Sequence, residues 1–109
     1  VNRRLAALAL FFLGCAPTVM VRPGGAPVAV RYTGPGQAVH LTGDMTGWQP
    51  VPLLRTGDGW ELELHLPAGR YEYRLEVRQG SDTVPLLPAG SERVDDGYGG
   101  ENAVLRVAP

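Results

Sequence analysis

Trp60-Glu61-Leu62-Glu63-Leu64-His65-Leu66 runs through Pro67-Ala68-Gly69-Arg70 into Tyr71-Glu72-Tyr73-Arg74-Leu75-Glu76-Val77-Arg78, and this stretch decides the fold class. In both halves an apolar residue recurs at every second position. That is the period of a β-strand, whose side chains point to opposite faces in turn; a helix would show a period near 3.6. Trp60, Leu62, Leu64 and Leu66 are expected to face a core, with Glu61, Glu63 and His65 facing out. Tyr71, Tyr73, Leu75 and Val77 are expected inward on the second strand. Pro67–Arg70 reads as a hairpin loop between them. If Leu66 pairs with Tyr71, Arg74 lies opposite Glu63 on the outer face, and both apolar faces stay on one side.

The same period extends outward from this stretch. Pro27–Tyr32 reads as a first strand with Val28, Val30 and Tyr32 on one face, closed by the turn Gly34-Pro35-Gly36. Ala38–Leu41 reads as a second strand leading into Gly43. Thr83–Leu87 reads as a short edge strand, because Pro85 cannot donate to a ladder. Ala103–Val107 closes the sheet. No segment after residue 26 has a helical period. The 15 glycines and 10 prolines in 109 residues supply the turns that many short strands need. Such a chain is all-β, a sandwich or a barrel, with length for one core.

Several function classes are excluded early. The formal net charge is −1, and the ten basic residues, all arginine, are scattered, so no nucleic-acid footprint exists. A single cysteine, Cys15, forms no internal disulfide and no cysteine-based metal cluster. His40 and His65 are isolated, outward-facing positions, so neither a metal nor another cofactor is expected. Asp95-Asp96 reads as a solvated turn, since adjacent carboxylates rarely converge on a substrate. No nucleophile–base order, phosphate loop or paired catalytic carboxylates stand out, and the chain is expected not to be an enzyme.

The first residues read as an address. Asn2-Arg3-Arg4 is a positive start and Leu5–Leu13 is an apolar run, too short for the roughly 20 residues of a membrane-spanning helix. Residues 1–14 are therefore expected to be a signal peptide. Phe12-Leu13-Gly14-Cys15 resembles a bacterial lipobox, although Phe12 and Leu13 stand where Leu and a small residue are commoner. That resemblance implies cleavage before Cys15 and lipidation of its side chain and amine; several acyl chains hold a protein stably on a membrane. An outer-membrane lipoprotein of the cell envelope, facing periplasm or surface, is the expectation. The alternative is an ordinary signal peptide with a chance cysteine, or a short uncleaved anchor. Residues 15–26 read as the lipidated cysteine and a Pro/Gly-rich tether, and residues 27–109 as the domain.

Four motifs carry a second resemblance. Val39-His40-Leu41-Thr42-Gly43-Asp44-Met45-Thr46-Gly47-Trp48 is a strand followed by a Gly-Asp loop that ends in tryptophan. Gly59-Trp60-Glu61 opens the next strong strand. Leu66-Pro67-Ala68-Gly69-Arg70-Tyr71-Glu72-Tyr73-Arg74 follows, and Asn102-Ala103-Val104-Leu105-Arg106-Val107 comes last. In this order they resemble carbohydrate-binding module family 48, the glycogen-binding domains. The resemblance covers about residues 27 to 108. It implies an immunoglobulin-like, early-set β-sandwich of about seven strands and an α-glucan ligand.

The resemblance also implies the site. Trp48 matches the loop tryptophan that stacks on a glucose ring; a pyranose has an apolar C–H face that a flat indole covers while the hydroxyls stay wet. The alternative is that Trp48 folds back on its loop. Arg74 matches the basic residue that hydrogen-bonds sugar hydroxyls, against the alternative of a cross-strand pair with Glu63. Asn102 matches the asparagine before the last strand, against the alternative of a turn-forming side chain. Tyr98, in a Gly-rich loop, falls where the family places an apolar residue against sugar; it could instead cover the sheet end. The family's second stacking tryptophan is absent, for Gln79–Leu86 holds no aromatic. This departure keeps open a second reading, in which the sandwich binds another envelope protein with a decayed sugar site.

Overall fold

A computed structural model describes residues 25–109. The expected signal peptide, Cys15 and the tether up to residue 24 lie outside the described residues. Nine strands follow: β1 Ala26–Tyr32, β2 Ala38–Gly43, β3 Val51–Pro52, β4 Leu54–Thr56, β5 Gly59–Leu66, β6 Gly69–Gln79, β7 Asp82–Leu86, β8 Glu92–Asp95 and β9 Glu101–Val107. The strands form two sheets, ordered β1-β5-β4 and β3-β2-β6-β9-β8, with β7 also paired to β6, and every pairing is antiparallel. This is an all-β immunoglobulin-like sandwich. The strands beyond the expected seven include β3 and β4, of two and three residues, too short to show a period.

The alternating faces fall as the sequence requires. Val30, Trp60, Leu64 and Leu66 of the first sheet meet Val39, Leu41, Tyr73, Leu75, Val77 and Ala103 of the second, with Met45 and Leu53 added from the connections. Leu41 and Leu75 lie opposite each other at the centre and are fully buried. Trp60 is core, as its place at the head of the leucine stripe indicates, and the Arg55 guanidinium lies 4.9 Å from its ring centroid.

One expected pairing is corrected. β5 and β6 do not form a hairpin. Leu66 pairs with Ala26 of β1, and Tyr71 pairs with Leu105 of β9, so Pro67-Ala68 carries the chain from one sheet to the other. The Tyr71 hydroxyl donates to the Pro67 carbonyl at 2.6 Å and ties down this crossover. Glu63 consequently faces Ala29, and Arg74 faces Thr42. Both strands keep their expected inward residues because they line one core from opposite sides. The same alternation serves a hairpin or two facing sheets.

β6 is the spine of the larger sheet. It carries β2 along Tyr73–Arg78 on one side, and on the other β9 along Gly69–Tyr73 and β7 along Leu75–Gln79. Where β2 ends, its backbone presses on β6: a Cβ on Gly43 would sit 2.5 Å from the Glu72 carbonyl oxygen and 2.5 Å from the Tyr73 Cβ. Only glycine allows this approach, and it places the following loop over the outer edge of β6.

Candidate functional site

The loop after β2 is built from its own side chains. Thr46 Oγ1 accepts from the Gly43 N–H and donates to the Gly43 carbonyl, both at 3.1 Å, closing one turn of 3-10 helix over Asp44–Thr46. Gly47 ends the turn in the left-handed region, and Trp48 follows there too, with φ 61°. A bulky side chain rarely adopts that conformation, which costs on the order of 1 kcal/mol or more. The loop holds it with a 2.8 Å bond from the Trp48 N–H to the Gly43 carbonyl. Trp48 does not fold back into a satellite core: it is 39% exposed.

Asp44 joins this loop to the sheet. One carboxylate oxygen accepts from the Trp48 indole N–H at 3.1 Å, and the other accepts from the Glu72 backbone N–H at 2.7 Å. Asp44 has no distinct pattern in the sequence. Its only signal was an acidic residue four positions before the tryptophan in a glycine-flanked loop.

The outer face of β6 brings the remaining residues together. Glu72, Arg74 and Glu76 alternate with the buried Tyr73, Leu75 and Val77. The Arg74 guanidinium lies 5.7 Å from the Trp48 ring centroid, within reach of a cation–π contact. It also pairs with Glu76 at 3.3 Å, not with Glu63. Arg74 and Trp48 are thus neighbours, although 26 positions separate them in the chain.

Asn102 sits beside them on the outer side of β9 but is only 5% exposed. Its Nδ2 donates to Glu72 Oε1 at 3.2 Å, while Arg70 holds Glu72 Oε2 at 2.9 Å. The Asn102 Oδ1 is buried without a hydrogen-bond partner. Asn102 therefore does not take up the alternative role of a turn-forming side chain; it supports Glu72 from beneath, with one acceptor still free.

Tyr98 stands apart. It is 95% exposed on the β8–β9 loop. Asp96 builds that loop: one oxygen accepts from the N–H groups of Tyr98 at 2.7 Å and Gly100 at 3.0 Å. These bonds, aided by the charge of Arg74, hold the Asp96 carboxyl below its ordinary range. Asp95 likewise accepts from the Gly97 N–H at 2.6 Å, so the adjacent acids are turn-builders. Asp96, Gly100 and Glu101 line a hollow of about 360 Å³ with Arg74, Glu76, Thr83 and Pro85. Tyr98 does not line this hollow. Among the described residues no group of three or more His, Cys, Asp or Glu side chains is placed to hold a metal ion.

An exposed indole and a neighbouring guanidinium, set on the outer face of an immunoglobulin-like sandwich, offer a flat apolar surface beside fixed hydrogen-bond donors. This arrangement defines a non-catalytic carbohydrate-binding module. The chain belongs to the family described as the glycogen recognition site of AMP-activated protein kinase, which matches residues 26–109. It is similar to the 5'-AMP-activated protein kinase subunit beta-1 of Sus scrofa, at 35% identity over 51 residues, covering 47% of this chain and 42% of that protein. The Rattus norvegicus and Homo sapiens subunits match over the same length at 35% identity, and the match spans 19% of each. The chain thus aligns with less than half of the curated relatives' length.

Proposed function

We propose that the domain binds α-glucan of the glycogen or starch type without acting on it, at a bacterial cell envelope to which a lipid on Cys15 fastens the chain. The observation that carries the binding is the contact between Trp48 and Arg74. A glucose ring stacks on the exposed indole, and Arg74 donates to neighbouring hydroxyls through its planar fork. Asn102 and Glu72 complete the polar side. The free Oδ1 of Asn102 takes a sugar hydroxyl when the overlying Glu72 side chain shifts. Tyr98 supplies a second surface for a longer glucan. The lipobox-like Phe12-Leu13-Gly14-Cys15 supports the anchor, in the outer membrane facing the periplasm or surface.

A second reading has an observation of its own. The outer face of β7 carries Thr83 and Pro85 opposite Arg78 and Glu76, and Gln79–Leu86, the turn into β7 and β7 itself, holds no aromatic residue. With one stacking platform fewer, the same face would serve an envelope protein partner. Native gels with and without glycogen or amylopectin separate the two. The full chain is retarded by glucan, and Trp48→Ala abolishes the retardation. No retardation of the wild type rejects the glucan reading in favour of the protein partner. Equal retardation of both chains rejects Trp48 as the platform. For the anchor, Cys15→Ser moves the protein from the membrane to the soluble fraction; unchanged fractionation rejects it.

A further inference from the structure

We infer that Asp44 is the positioning residue of the sugar platform. Its carboxylate, shared between the Trp48 indole N–H and the Glu72 backbone N–H, fixes the plane of the ring beside Arg74. The inference rests on the glucan reading and deepens it.

An exposed tryptophan on a loop tip ordinarily samples several side-chain rotamers. A sugar that stacks on it must then freeze one of them, and that loss is subtracted from affinity. Trp48 is 39% exposed, yet its indole N–H is engaged and its backbone is held at φ 61°. Neither feature helps the core, since the ring is not buried there. Both set the direction of the ring in advance. The two oxygens of Asp44 divide the task. Oδ1 stops rotation of the indole, and Oδ2 ties the loop to β6 at Glu72, two residues before Arg74. The spacing between ring and guanidinium is then a property of one rigid unit rather than of a mobile loop meeting a sheet. Gly43, whose hydrogen has no room for a Cβ, brings the loop close enough for this bridge.

The test is a double-mutant cycle on the full chain, with glycogen and β-cyclodextrin as probes. Asp44→Ala weakens binding roughly three- to tenfold, the cost of ordering one large side chain. In ¹⁵N-correlated NMR spectra it shifts the Trp48 indole signal, assigned by its loss in Trp48→Phe, and speeds its hydrogen exchange, while the Trp60 indole signal stays in place. In the Trp48→Phe background, which has no N–H to hold, Asp44→Ala removes only the tie to Glu72 and costs clearly less affinity than in the wild type; a purely structural role would keep the full effect. Asp44→Asn keeps the shape of the side chain and serves if the alanine variant does not fold. It leaves one bonded N–H unpartnered and weakens binding in the same direction. An unmoved indole signal overturns the inference, as does wild-type affinity in both Asp44 variants while Trp48→Ala fails to bind. Absence of binding by the wild type removes the glucan reading itself.

Discussion

The Arg74 guanidinium lies 5.7 Å from the centre of the Trp48 ring, so one end of the loop after β2 and the middle of β6 form a single surface. The pair combines an apolar plane with a fork of donors, which is what a hydroxylated ring with one C–H face requires.

Arg74→Ala is expected to weaken glucan binding about thirtyfold, since one charged donor and its stacking contact each contribute on the order of 1 kcal/mol. Arg74→Lys keeps the charge but loses the planar fork, and falls between the two. Titration calorimetry with a maltooligosaccharide orders the three. Equal affinity of all three would remove Arg74 from the site.

Asn102→Asp places a second carboxylate against Glu72 in a nearly enclosed position. At neutral pH it should cost about 2 kcal/mol or more of stability. A carboxyl buried beside a like charge has a raised folded pKa, so the penalty lies above that pKa and fades as pH falls through it. Thermal melts of the wild type and variant at neutral and mildly acidic pH check this. The gap should narrow in acid.

Glu92 accepts two bonds from Arg106, at 2.9 and 3.0 Å, and this partner holds its carboxyl below the ordinary value. Asp96 is held down by its backbone donors. A depressed folded pKa means stability that is present above the unfolded pKa and is lost as pH falls through the folded one. Urea midpoints should therefore drop between about pH 5 and pH 2. Asp96→Asn should flatten this slope more than Glu92→Gln in high salt, because the Glu92 pair is exposed and screened.

Gly43→Ala forces a methyl group into the backbone of Glu72 and the Cβ of Tyr73. Destabilisation of about 2 kcal/mol or more is expected, with the Trp48 loop pushed off β6. Denaturant unfolding measures the first, and glucan retardation of the folded fraction measures the second. Leu75→Ala, at the fully buried centre of β6, should cost about 2–5 kcal/mol and leave the affinity of the folded fraction unchanged.

The limits of the sequence show at particular residues. Leu62, Leu64, Tyr73 and Leu75 announced their faces because a pleat converts position parity directly into side. Their partners were not announced. Leu66 and Tyr71 read as a hairpin pair, yet the chain between them crosses from one sheet to the other, because two facing sheets present the same inward parity as two adjacent strands. Trp48, Arg74, Asn102 and Tyr98 could be singled out by their match to the motifs of the family the chain resembles. Asp44 and Glu72 could not, since an acidic residue on a surface loop or strand has no pattern until its partners are known.

The alternation of apolar residues and the spacing of turns thus determined, from sequence alone, an all-β domain and its inward residues, while the resemblance of its motifs to the glycogen-binding family pointed to a tryptophan and an arginine suited to sugar. Tertiary structure decided that these two meet, that Asp44 accepts from the indole N–H, and that the buried Asn102 donates to Glu72. The physical reason is range. Strand period is a local steric property of the backbone, whereas a binding surface is made of contacts between residues about thirty positions apart, which exist only once the sheets have closed on their core.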